Sequence, residues 1–106
     1  MPLTHDFKET IRARVQSDPK FRRAMLKEAV ELILNGELDT GKAMLRDYVN
    51  ATVGFQKLEE STRIPAKSLM RMLGPNGSPR VANLATILGA IQKAEGGLQF
   101  GVLLRR

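Results

Sequence analysis

Helix breaks, more than composition, constrain what this chain of 106 residues can become. The sharpest is Ser17-Asp18-Pro19: Asp18 can cap a helix, and Pro19 suits its first position, where a missing N–H costs nothing. Asn35-Gly36 can leave that helix through the left-handed region, Gly54 ends the next, and Pro65 disfavours helix at Ile64 while suiting a new first turn. GPNGSP at 74–79 and Gly96-Gly97 supply further stops.

Between the breaks the apolar residues recur at helical spacing. The first helix is predicted from about Asp6 to Gln16, with Phe7, Ile11 and Val15 on one face. The second, Pro19 to Leu34, carries Phe21, Met25, Ala29 and Leu32 on one stripe and Leu26, Val30 and Ile33 on another, which implies burial on more than one side. The third starts within 37–40 and reaches about Thr52, with Leu45, Tyr48, Val49 and Thr52 inward and Gly41 weakening its first turn. Two short helices follow, Phe55 to about Thr62 and Pro65 to Leu73, and then a longer one with Val81, Leu84, Ala85, Leu88 and Ile91 inward. The reading is an all-α bundle of about five to six helices in a single domain, divided as 1–53, 54–95 and a tail at 96–106. The closing LQFGVLLRR, 98–106, shifts to short-period apolar spacing compatible with a short strand, able to pair with a partner or fold back on the bundle.

Charge is unevenly shared. Residues 1–53 hold nine Lys/Arg against eight Asp/Glu, and residues 54–106 hold eight against three. Between Glu60 and Glu95 the only charges are Arg63, Lys67, Arg71, Arg80 and Lys93, a one-signed field that attracts polyanions. A basic face that merely solvates the protein would carry the same signature, so the pattern of residues has to separate the two.

Two short helices around a tight turn describe a helix-turn-helix, whose second helix enters the DNA major groove. Leu58, Ile64, Leu69 and Met72 fall where such a unit needs inward apolar residues, with Leu73 beside them. Helical rotation then turns Ala66, Lys67, Met70 and Arg71 outward, with Ser68 at the margin. Arg and Lys can grip guanine or phosphate, and Ser can serve base or backbone. Asn76, Gly77 and Ser78 offer backbone N–H groups beside that face, and Arg80 begins the next helix, where a phosphate could be held.

The stretch GFQKLEESTRIPAKSLMRMLGPNGSPRVANLATILGAIQ, 54–92, resembles the Xre-type, lambda-repressor-like DNA-binding domain. NGELDTGKAMLRDYVNATVGF before it resembles the antidote proteins of bacterial toxin–antitoxin modules, and the likeness covers roughly 19–95. The resemblance implies a five-helix bundle acting as a homodimeric repressor on palindromic double-stranded operator DNA near its own promoter. By position it assigns base readout to Ala66, Lys67, Ser68 and Arg71, and phosphate contacts to Gln56, Asn76, Ser78 and Arg80. It also implies an mRNA-cleaving partner, a RelE/HigB-like toxin. Two residues depart from the pattern: Glu59 stands where Ala is usual and the helices nearly touch, and Arg63 stands in the turn where Gly is common. Glu59 must snorkel outward or open the crossing, and Arg63 must accept a positive φ.

Other classes find less support. His5 is the sole histidine, cysteine is absent, and no phosphate loop or acidic metal cluster occurs, so neither an enzyme nor a cofactor is expected. Adjacent Glu59 and Glu60 point in different directions on a helix and make a poor acid/base pair. An RNA-binding basic protein is the better rival, but the chain has only Phe7, Phe21, Tyr48, Phe55 and Phe100 for base stacking, the first four at core positions or helix ends. A non-catalytic interaction module is a further alternative. No signal-peptide core precedes the first helix and no apolar run approaches the roughly 18 residues of a membrane span. With no cysteine, a cytoplasmic location without membrane attachment is the expectation.

Overall fold

The computed structural model describes residues 5–96, with the side chains of 5, 6 and 8 left aside; the expected strand at 98–106 lies outside the described residues. Six helices follow one another: α1 (His5–Ser17), α2 (Pro19–Leu34), α3 (Leu38–Ala51), α4 (Gly54–Thr62), α5 (Ala66–Met72) and α6 (Val81–Ala94). Among the described residues there is no strand, and no helix is long and apolar enough to cross a membrane.

The start and stop signals act as their chemistry requires. Asp18 caps α2, its Oδ1 accepting the Phe21 N–H at 3.2 Å, with Pro19 next in line. The α2–α3 connection passes through Gly36 at φ 88°. Those two helices form the most extensive packing in the bundle. Gly41 lies in their contact: a Cβ there would stand 2.7 Å from Ile33 Cγ1 and 3.0 Å from the Ala29 carbonyl oxygen. The residue that weakens the first turn of α3 is therefore the one that lets α2 come close.

Leu26 and Ala29 of α2, Leu45, Tyr48 and Val49 of α3, Phe55 and Leu58 of α4, Ala66 and Leu69 of α5, Leu73, and Ile87 and Ile91 of α6 make one continuous core. Three expected faces differ from this. Phe7 is 48% exposed while Val15 is buried, because α1 meets the core with its C-terminal end. Thr52 is exposed, one residue past the end of α3. In α6, Val81 is 83% exposed and Ala85 is also outside, whereas Ile87, not among the expected inward residues, is fully buried. The buried side of α6 runs through Leu84, Ile87, Leu88 and Ile91, at i, i+3, i+4 and i+7.

A buried polar network closes the bundle where α6 ends. Glu95 accepts both hydrogen bonds of a fork from Arg22 Nε, at 2.9 and 3.0 Å, and one from Arg23 Nε at 3.4 Å. The Tyr48 hydroxyl donates to the same carboxylate. Arg22 also donates to the Val15 carbonyl at 3.2 Å, so α1, α2, α3 and the end of α6 meet at one charge. A buried carboxylate is tolerable only when paired in this way.

The α4–α5 connection is three residues, Arg63 to Pro65. Arg63 is the only described non-glycine residue with positive φ (64°), and its N–H closes α4 on the Glu59 carbonyl at 2.7 Å. A left-handed conformation costs a non-glycine residue about 1–2 kcal/mol, of which a glycine's extra unfolded-state freedom takes back about 0.4–1 kcal/mol. Arg63→Gly should therefore raise unfolding free energy by about 0.5–1 kcal/mol, read as a higher midpoint in urea at unchanged slope.

Candidate nucleic-acid interface

Helix α5 is only seven residues long, too short to stand alone. It is held from below by Leu69 and Leu73, both fully buried, which pack with Leu58 of α4. Ile64 and Met72 are partly buried against the same core, so all four inward positions of the two-helix unit are occupied as the spacing predicted. The α5 ends are held by side chains from elsewhere. Glu59 Oε1 accepts the Ala66 N–H at 2.7 Å, which supplies the cap that Pro65 cannot. Glu59 thus does not turn away to solvent; it ties the N-terminus of α5 to α4. At the other end, Lys42 Nζ donates to the carbonyls of Gly74, at 2.9 Å, and Gly77, and Arg46 Nη1 donates to the Leu73 carbonyl at 2.7 Å. A carboxylate at the N-terminus and two cations at the C-terminus both match the helix dipole.

Ala66 is the correction among the expected reading residues. It is 6% exposed and belongs to the core, because the first turn of α5 lies against α4 at the Glu59 cap. Lys67 and Arg71 are exposed, one turn apart on the same side, with Met70 46% exposed beside them. Ser68 is half-buried, and Arg71 Nη2 approaches its hydroxyl at 3.4 Å. Among the described residues no ion pair involves Arg63, Lys67, Arg71 or Arg80. Of the two acids that precede them on α4, Glu59 is committed to the α5 backbone and Glu60 is exposed, with neither paired to these cations.

The loop after α5 stays close to that face. The Gly74 N–H bonds the Arg71 carbonyl, the Gly77 N–H bonds the Gly74 carbonyl, each at 3.1 Å, and a Cβ on Gly77 would fall 2.0 Å from the Arg71 oxygen. Only glycine permits that approach. Asn76 and Ser78, on either side of it, are exposed, and so is Arg80, the extended residue before α6. Gln56 is placed differently: it is exposed on α4 and lines a groove with Gln16, Arg22, Thr52 and Glu95. Lys67, Arg71, Asn76, Ser78 and Arg80 therefore share α5 and the loop tied to it, while Gln56 shares its surroundings with the Glu95 network.

Lys42, Arg46 and the capping role of Glu59 are absent from the sequence reading. A signal for Lys42 exists: with Leu45 and Val49 it continues the inward stripe of α3 at i, i+3 and i+7, where a lysine needs buried acceptors. What accepts from it, a loop 32 residues further on, leaves no local trace.

This surface can present two adjacent cations, a hydroxyl and a loop tied to α3 to a polyanion, and neither cation is paired with a carboxylate. No protein-family model, no curated protein and no solved structure matches the chain.

Proposed function

We infer that this protein binds double-stranded DNA, using α4 and α5 as a helix-turn-helix with α5 in the major groove. The observation that carries the reading is the set of unpaired cations, Lys67 and Arg71 with Arg63 and Arg80, around a helix whose two ends are fixed by Glu59, Lys42 and Arg46. Lys67, Ser68 and Arg71 read base edges, and Asn76, Ser78 and Arg80 hold the backbone beside them. Gln56 contacts phosphate from the start of α4, on a separate side of the unit. The protein acts as a homodimeric repressor at a palindrome, with half-site centres about 34 Å apart. Its biological role is the antitoxin of a type II toxin–antitoxin module, which the likeness of 35–55 to antidote proteins supports.

A mobility-shift experiment on the DNA upstream of its own reading frame, with an RNA competitor, tests the class. Duplex DNA should bind tightly, and affinity should fall steeply with salt; Lys67→Ala or Arg80→Ala should each lower the log–log salt slope by about 0.9. Flat affinity between low and moderate salt, or stronger competition by RNA, would defeat the reading. The antitoxin role stands or falls separately, on co-purification with a small basic protein encoded beside it.

A further inference from the structure

Lys42 is the only buried lysine or arginine among the described residues, at 1% exposure. A buried ammonium demands acceptors, and it finds them in the Gly74 and Gly77 carbonyls, with Asp39 Oδ1 at 3.6 Å. Arg46, one turn along α3, takes the Leu73 carbonyl. Three carbonyls from the end of α5 and the following loop thus point at α3. The loop's N–H groups divide in the opposite sense. Pro75 and Pro79 have none, and those of Gly74 and Gly77 bond carbonyls of Arg71 and Gly74. The N–H groups of Asn76 and Ser78 have no partner among the described residues, and both residues are exposed.

We propose that Lys42 and Arg46 are positioning residues for DNA binding: without touching the duplex, they clamp the 73–77 backbone to α3 so that the Asn76 and Ser78 N–H groups and the Arg80 side chain face one phosphate. The inference rests on the DNA-binding reading above and adds to it the part of the molecule that sets the backbone grip. Its signature is specific. Loss of the clamp removes backbone contacts, which carry no sequence information, while Lys67 and Arg71 keep their place on α5.

The test uses the full chain carrying Lys42→Met or Arg46→Met, bound to its upstream DNA over a range of salt. The same DNA is also tried with uncharged methylphosphonates at single phosphates flanking each half-site. Each variant should bind about tenfold more weakly at low salt, as for one lost charge-assisted contact, with a salt slope lower by about 0.9. The site selected from randomised DNA should be unchanged, and one methylphosphonate position that weakens the unsubstituted protein should have no further effect. If Lys42→Met does not fold, Arg46→Met, at a half-buried position, decides alone. A folded variant that keeps the original slope and the same methylphosphonate profile overturns the clamp, even if its melting temperature falls. An altered site preference at constant slope overturns it too. If the unsubstituted protein shows no salt-dependent binding, the DNA-binding reading fails and the clamp fails with it; if it binds and the variants match it, only the clamp fails.

Discussion

Glu95→Ala is expected to lower the free energy of unfolding by about 3 kcal/mol, the largest single-residue stability effect we anticipate. The Glu95 side chain is 4% exposed and accepts from Arg22, Arg23 and Tyr48, so its removal leaves a guanidinium and a hydroxyl without their acceptor. Breaking a buried pair commonly costs about 3–5 kcal/mol, and the lower end applies because the Arg22 side chain is 20% exposed and keeps the Val15 carbonyl. Burial alone would push the Glu95 carboxyl up, but the Tyr48 hydrogen bond and the Arg22 guanidinium outweigh it and hold it below its ordinary value. A carboxyl whose folded pKa lies below its unfolded value, about 4.3, contributes stability that is complete above that value and lost as pH falls through the folded one. Urea denaturation from neutral to acid pH should therefore show the unsubstituted protein losing stability faster than Glu95→Ala, with the gap between them closing. A constant gap down to about pH 3 would mean that the carboxylate's charge contributes nothing.

Under the proposed DNA-binding function, combined Lys67→Ala and Arg71→Ala should reduce affinity for the DNA upstream of the reading frame by about a hundredfold or more, since a good base or phosphate contact is worth about 1–3 kcal/mol. The fold should not notice: both side chains are exposed and neither pairs with a carboxylate, so stability should change by less than about 0.5 kcal/mol. This separation of binding from stability distinguishes a reading surface from a solvating one. Arg71→Ala alone should relax base preference at one operator position in a randomised-site selection. Unchanged preference there would reassign Arg71 to phosphate.

The residues that matched expectation and those that did not separate by the kind of information each needs. The Asp18 cap, the departure at Gly36, the turn at Arg63 and Pro65, and the inward Leu58, Leu69 and Leu73 depend on near neighbours. Ala66 does not: rotation about the α5 axis placed it outside, but α4 crosses at that turn and covers it. Helix α6 is a different failure. Val81, Ala82, Leu84, Ala85, Ile87, Leu88, Ala90 and Ile91 make it apolar almost all round, so periodicity cannot choose a face and packing does. The conformations of Glu59 and Arg63 are also settled only in three dimensions. Arg63 takes the left-handed conformation that glycine would take, and Glu59 becomes a cap.

Residue order was enough to place the helix boundaries and to mark 63–80 as a basic stretch without acids, because capping, proline and glycine effects and charge counts act over a few residues. It could not reveal that Lys42 holds a loop 32 residues away or that Arg22 meets Glu95 across 73. Those pairings exist only once α3 has met the loop after α5 and α2 the end of α6, since a buried charge finds its partner through the angle and register of packed helices, which no local stretch encodes.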